Sequence, residues 1–412
     1  MRELKFSCLA IHFRTCLPFS YRAARRTLPC LAAFCLALLL PGAVHAQAVT
    51  FAGFSFAGDY ATIAERFPNA ARIDKALKLE GDGRSLSRLA IERAYAADHP
   101  TLEYAPREAL ANLKGADQVL MAVLLLNGET VSTERIGNYY KTFVSLRADA
   151  LIFDYKSKSV VRSYPLSVVV FDASAQPPTP AVIEAHVREL MLREDGGGLL
   201  TQFTRRLSAA RLPAPGTRTI QVRRAQVAPE AMAVMPAALR DNPALAGQMI
   251  SDAFGSILSA KLGVSLLPTG LGHALGTMSF RLDNGDALDL KVGEGDYLFD
   301  VKLNKFAKLK SGENNVGASY VYGVYGNIRF FEPALNTDFF LSDLKNGEVK
   351  VVPANQTDLD DFPAYEAAIR GLFLKFADAL VQPESKWIVT AAASKDITKQ
   401  IDASRAILKA SK

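Results

Sequence analysis

Cysteine is confined to the first 35 residues, where Cys8, Cys16, Cys30 and Cys35 account for all four in the chain. The rest of the sequence can therefore carry no disulfide framework, thiol nucleophile or thiolate metal site. Histidine is nearly as scarce. Beyond residue 46 only His99, His186 and His273 remain, far apart and with no H-x-x-x-H spacing, so no zinc or triad signature is present. No G-x-S-x-G nucleophile turn occurs either. Long apolar runs are also missing. Residues 28–40, LPCLAAFCLALLL, make a run of 13, short of the roughly 20 that a membrane-spanning helix needs, and no later stretch is long enough.

What precedes and follows that run is informative. Arg2, Lys5, Arg14, Arg22, Arg25 and Arg26 lie before it against the single acid Glu3, and Ala46-Gln47-Ala48 follows it. Basic, apolar and small-residue segments in that order predict a secretory signal peptide at 1–46 and export to the periplasm or beyond the cell. Arg25-Arg26 also fits a twin-arginine leader. Phe34 precedes Cys35, where a lipoprotein signal needs a small residue, so no covalent lipid anchor is expected. The whole chain has 412 residues and a formal charge of +6. Six of its 48 basic residues and one of its 42 acids fall in the leader, leaving 42 and 41. The near-neutral remainder gives no bulk-charge case for nucleic acid.

The remaining sequence repeats itself. Residues 184–192 and 366–374 share E-A-x-[VI]-R-x-L-[MF]-L, each after a proline, Pro180 or Pro363. Apolar residues at i, i+4, i+7 and i+8 predict an amphipathic closing helix in each copy. Asp154-Tyr-Lys-Ser-Lys and Asp343-Leu-Lys-Asn-Gly each divide strand-like runs, with Asn346-Gly347 read as a hairpin turn. Gly115-Ala-Asp-Gln-Val-Leu-Met-Ala-Val matches Gly295-Asp-Tyr-Leu-Phe-Asp-Val in the same order. Each copy opens on a strand candidate, VTFAGFSF or TIQVRRAQV, followed by a helix. The expected organisation is a first αβ repeat domain at 47–212, a linker at 213–216, a second at 217–385, and a C-terminal helical tail at 386–412. The expected fold is α+β, a tandem duplication of a mixed, largely antiparallel sheet flanked by helices. A further hairpin is expected around Asn284-Gly285, and Ile397, Ile401 and Leu408 mark one side of a solvated terminal helix.

Lys310-Ser311-Gly312, then Val316-Gly317-Ala318-Ser319-Tyr320, lead into a long alternating strand, and the pattern ends at Asp343…Asn346-Gly347-Glu348-Val349. This resembles the envelope superfamily that contains the curli secretion channel lipoprotein, the TolB amino-terminal domain and the lipoprotein activators of penicillin-binding proteins. It is clearest over residues 295–381. The resemblance implies a small mixed sheet flanked by helices. It also implies scaffolding, oligomeric rings, secretion or partner activation rather than catalysis. The absent lipidation cysteine departs from the family pattern.

Local clusters point to structure. Asp358, Asp360 and Asp361 precede the helix at Pro363, where carboxylates cap and favour a helix start. Asp283, Asp286 and Asp289 fail the calcium-loop pattern at Gly285 and Ala287 and fit a turn. Gly81-Asp-Gly83 and Gly196-Gly197-Gly198 lack a phosphate-loop ending. Lys302, Lys305, Phe306, Lys308 and Lys310 interleave bases with an aromatic, as anion-binding strands do, and also fit a solvated strand end. No catalytic residue, cofactor or metal is expected. The candidate interaction surface is two alternating stripes: Tyr297, Phe299, Val301 and Leu303, then Tyr320, Tyr322, Val324, Ile328 and Phe330. Period two means one apolar face, to be covered by the protein's own helices, a partner or lipid. The expected function is a non-enzymatic periplasmic scaffold binding envelope or secretion-machinery proteins or its own copies. The alternatives are an oligomeric outer-membrane channel, the only reading that involves membrane contact, and a carboxylate-dependent hydrolase.

Overall fold

In the first half, strand β1 (Val49–Phe56) precedes helices α1 (Pro68–Leu79) and α2 (Leu86–Ala96). Three long strands follow, β2 (Leu120–Ile136), β3 (Tyr139–Asp154) and β4 (Ser159–Ser174), then helices α3 (Pro180–Leu192) and α4 (Leu199–Ser208). The second half repeats that order. Short strands β5 (Ile220–Val222) and β6 (Gln226–Val227) lead to helix α5 (Pro243–Leu262) and a hairpin, β7 (Thr277–Arg281) and β8 (Ala287–Lys291). Three long strands, β9 (Tyr297–Asn314), β10 (Gly317–Glu332) and β11 (Thr337–Pro353), then precede helices α6 (Phe362–Val381), α7 (Lys386–Ala391) and α8 (Ile397–Ala410). The computed structural model describes residues 48–80, 84–105, 119–214, 216–268, 277–282, 285–354, 359–382 and 384–412. The leader, Gly81–Gly83, Gly115–Asp117, His273, Asp283, Asn284 and Asp358 lie outside them.

The fold is α+β with two mixed sheets, in strand order β1-β2-β3-β4-β8-β7 and β11-β10-β9-β5, with β6 also on β9. Each contains one three-stranded antiparallel meander with a short parallel strand at its side. Val49 pairs with Leu120 in one sheet and Ile220 with Tyr297 in the other. Gln47–Lys412 forms one compact unit.

Helices α1–α4 cover one face of the first sheet around Phe51, Val144, Leu146, Leu190 and Phe203. Helices α5 and α6 cover one face of the second, where Phe254 meets Phe299 and Phe373 at centroid distances of 5.3 and 5.1 Å. Each such buried side chain contributes roughly 1.5–3 kcal/mol. The closing helices begin as their sequences require. Thr179 Oγ1 accepts from the Val182 N–H ahead of Pro180, and Asp360 Oδ1 accepts from the Phe362 N–H.

Several expectations change. Asn346-Gly347 is no turn: β11 runs through it, and Gly347 pairs with Gly323 of β10. The Asn346 amide is spent inside, donating to Ala368 O at 3.0 Å while its oxygen accepts from Lys375. The β10–β11 turn lies at Pro333–Asn336, with Asn336 at φ +47°. The run 219–227 makes two short strands rather than one, because Ala225 N–H turns away to Ser251 Oγ. The hairpin near Gly285 forms, but it joins the first sheet. Ser159 pairs with Lys291, and Ala57 bridges to Phe280, so that sheet curls on itself around Met121, Val123, Phe153 and Phe280. Helix α8 is docked rather than solvated, with Ile397, Ile401 and Leu408 buried. No helix among the described residues is long and apolar enough to cross a membrane.

Candidate functional site

The stripes proposed as an interaction surface are core. Tyr297, Phe299, Val301, Leu303, Tyr322, Val324, Ile328 and Phe330 are all buried, and Tyr320 is half-buried. Their face is the one that α5 and α6 cover, so the protein's own helices take up the apolar period. Tyr322 donates to Asp361 at 2.6 Å, and burial and that hydrogen bond raise its phenol pKa.

The opposite face of β9–β10–β11 is open, and two register shifts decide what it carries. Asn304 and Ser311 are extra residues in β9, each an unpaired bulge that switches which residues point outward. Beyond Asn304 the outward residues of β9 are Lys305, Ala307 and Leu309. Cross-strand pairing then builds rows across all three strands. Leu309, Val321 and Val349 form an apolar row, extended by Val351. Leu309, Val349 and Val351 are 67, 63 and 71% exposed. Beside it lies a trough of small residues, Ala307, Gly323 and Gly347, and next to that a row of Lys305, Tyr325 and Lys345. Lys305 Nζ sits 5.1 Å over the Tyr325 ring. At the β11 edge the trough opens into a cavity of ≈ 360 Å³ walled by Lys375 and Trp387.

Farther along, the face is closed by its own ion pairs. Arg223 forks onto Asp300 at 2.6 and 2.5 Å, Arg329 meets Asp338 at 2.6 Å, and Asn327 donates to Asp343. Among the described residues, no ion pair crosses the apolar row, the trough or the lysine row. Both neighbouring edges are also unpaired: among the described residues no strand pairs with the outer edge of β9 beyond Leu303 or with the outer edge of β11 beyond Leu344. In the first sheet the equivalent face is covered. Phe143, Ser145, Arg147 and Asp149 of β3 lie under α5 and are buried.

The other candidates have structural roles. His99 contacts Ala94 O at 2.6 Å beside Phe51 and Tyr104, and His186 contacts Asp172. Asp360 pairs with Lys141 and Asp361 with Lys308. Asp286 accepts from Tyr155, and Asp289 accepts from Ser279. Gly197 N–H bonds to Asp195. Lys302 and Lys305 share the outer face, whereas Lys308 bonds to Asp361 and Lys310 to Glu313, so these lysines do not form one patch. The described residues hold no group of three or more His, Asp or Glu arranged for a metal.

One constellation was not foreseen. Arg147 of β3 reaches Asp252 of α5 at 3.2 Å, and Gln248 donates to the same carboxylate at 2.8 Å. Asp149 accepts from Asn127 at 2.7 Å and from Ser163 at 3.1 Å. Burial pushes the Asp149 carboxyl up to about 6 against the pull of Asn127, Ser163 and Arg147. Burial pushes Asp252 up to about 7, with Arg147 opposing and Asp149 reinforcing the shift. At 3 and 8% exposure both acids are buried, and the Arg147–Asp252 pair joins the halves of the protein.

No family model and no curated protein matches the chain. Among solved structures, the crystal structure of protein XCC0632 from Xanthomonas campestris, family model DUF330, is similar to part of it. The TM-score is 0.21 and the identity 14%, covering 47% of this chain and 94% of that one.

Proposed function

We propose that the protein is an exported, non-enzymatic adaptor of the cell envelope, acting in the periplasm by binding envelope proteins or its own copies. The docking surface is the open face of the second sheet. The observation that carries this reading is the row of Leu309, Val321 and Val349 with Val351, exposed on a sheet whose apolar stripe is already used by its own helices. A flat apolar row rimmed by charge is what a protein partner covers. The trough of Ala307, Gly323 and Gly347 admits side chains from that partner, and Lys305 and Lys345 favour acids beside its apolar residues. The signal-like leader and the resemblance to envelope scaffolds support the same reading. A channel built from the aromatic stripes would first have to strip them from α5 and α6.

The test is a photo-crosslinking residue at Val351 in cells, with Leu79, 77% exposed on α1, as the control position. Adducts with envelope proteins or a second copy are expected at Val351 and not at Leu79. Leu309→Asp with Val349→Asp should weaken them by about tenfold. Stability should change by only about 0.5 kcal/mol, because these side chains are exposed. Equal adducts at both positions, or adducts indifferent to the double substitution, would remove the reading.

A further inference from the structure

The first sheet closes imperfectly. Beyond the bridge between Ala57 and Phe280, Ser55 Oγ donates to Arg281 O at 2.6 Å, and a cleft opens where the ends of β1 and β7 meet α1. The cleft between them has a volume of ≈ 480 Å³. That is within the roughly 300–1,000 Å³ of small-molecule sites. Its lining is divided by chemistry. Phe54, Phe56 and Ile63 supply an apolar floor, and Tyr60, 60% exposed, stands at the mouth.

The rim is cationic. Lys75, Lys78 and Arg281 face the cleft against Asp74, the one acid among the described residues that line it. Asp74 is already engaged twice, accepting from the Leu86 N–H at 2.8 Å and pairing with Lys78 at 2.7 Å. Lys75 and Arg281 therefore have no acidic partner among the described residues. Arg281 lies with its guanidinium carbon 4.9 Å over the Tyr60 ring, a cation–π contact. Two cations without an acidic partner among the described residues, over an apolar floor, match a ligand with an anionic head and an apolar tail.

We infer that this cleft binds a single-chain anionic amphiphile, with its tail on Phe54, Phe56 and Ile63 and its head between Lys75 and Arg281. The site uses none of the second sheet's open face and stands apart from the adaptor reading. A fatty acid and a lysophospholipid share the required chemistry, as does the exposed anionic headgroup of a membrane.

The test uses the purified protein and three soluble probes: dodecyl phosphate below its micelle concentration, dodecanol and inorganic phosphate. Vesicles of phosphatidylglycerol form a fourth arm. Calorimetry is expected to show saturable binding of dodecyl phosphate alone among the soluble probes. Lys75→Glu with Arg281→Glu should weaken it by about tenfold, equivalent to 1.4 kcal/mol. Ala71→Trp, which fills the cleft from α1, should abolish it with the fold intact by circular dichroism. If Ala71→Trp does not fold, Ile63→Asp replaces it as the test of the tail site. Equal binding of inorganic phosphate would mean a surface anion patch. Equal binding of dodecanol would mean a charge-blind apolar cleft. Binding to vesicles without binding to dodecyl phosphate would mean a membrane-surface contact. Each of these three results overturns the inference.

Discussion

Arg147→Met is expected to destabilise the protein by about 3–5 kcal/mol at pH 8, the cost of removing one partner from a buried ion pair. Arg147 stands between Asp252, at 3.2 Å, and Asp149 two residues along the same strand, and both carboxylates are buried. No other cation lowers either pKa. The site is shaped for this one side chain. Asn127 is the extra residue of a bulge between Leu126 and Gly128, which turns its amide toward Asp149. A Cβ at Gly128 would lie 2.1 Å from Arg147 Nη2, so a side chain there would push the guanidinium out of its present place. Urea denaturation of the variant measures the loss. Asp252→Asn in the Arg147→Met background should recover part of it, because the uncompensated charge is then gone. A loss below about 1 kcal/mol at pH 8 would show that the pair is hydrated rather than buried.

The sequence makes the periodic parts of this fold readable and hides what crosses between its halves. The stripes on β9 and β10 and the E-A-x-[VI]-R helices follow from local alternation. They locate two similar sheets with helices on one face. The second face cannot be read in the same way. By alternation Ser145, Arg147 and Asp149 on β3 look like an ordinary solvent side. They are buried because α5, about a hundred residues later in the chain (Arg147 to Asp252 is 105 positions), packs over them. A trace of this did exist. Gln248, Asp252, Ser256 and Ser259 recur at helical spacing on α5 and are all buried, a polar stripe on an otherwise apolar helix. Such a stripe needs a polar partner.

Turn chemistry misled at Asn346-Gly347 because the glycine there serves a close cross-strand approach. A Cβ would meet Val321 Cγ1 at 3.1 Å. The open row of Leu309, Val321 and Val349 was illegible for a different reason. Bulges at Asn304 and Ser311 change the outward parity of β9, and neither residue signals a bulge on its own. The candidate stripes therefore fall on the covered face of the second sheet.

The same buried acids predict an unusual pH dependence, with a loss of stability on the order of 3–5 kcal/mol between pH 5 and pH 8. Asp149 and Asp252 have folded pKa values of about 6 and about 7, against an ordinary 3.8. A carboxylate raised in the folded state binds its proton more tightly there than in the unfolded chain. Its contribution is complete below the unfolded pKa and is lost as pH rises through the folded one, here from about pH 4 to pH 7. Asp360 has the same sign, since burial raises its pKa against the pull of Lys141. It faces Lys141 of β3 and feels Glu134 of β2, so its net contribution to stability also falls as pH rises through its raised pKa. Around the first contact the facing charged groups are Arg147 and Asp149 on β3 and Asp252 on α5, and Asn127, Ser163 and Gln248 complete its polar shell. Near pH 8 two carboxylates share one guanidinium. Near pH 5 one or both are neutral, and the single cation suffices. The urea midpoint should therefore fall steadily from pH 5 to pH 8. Asp252→Asn should flatten the profile by removing the most elevated group, whereas Asp396→Asn, at an exposed acid, should leave it unchanged. A wild-type midpoint that is flat or rises across this range would show that the seam between the halves is not proton-linked.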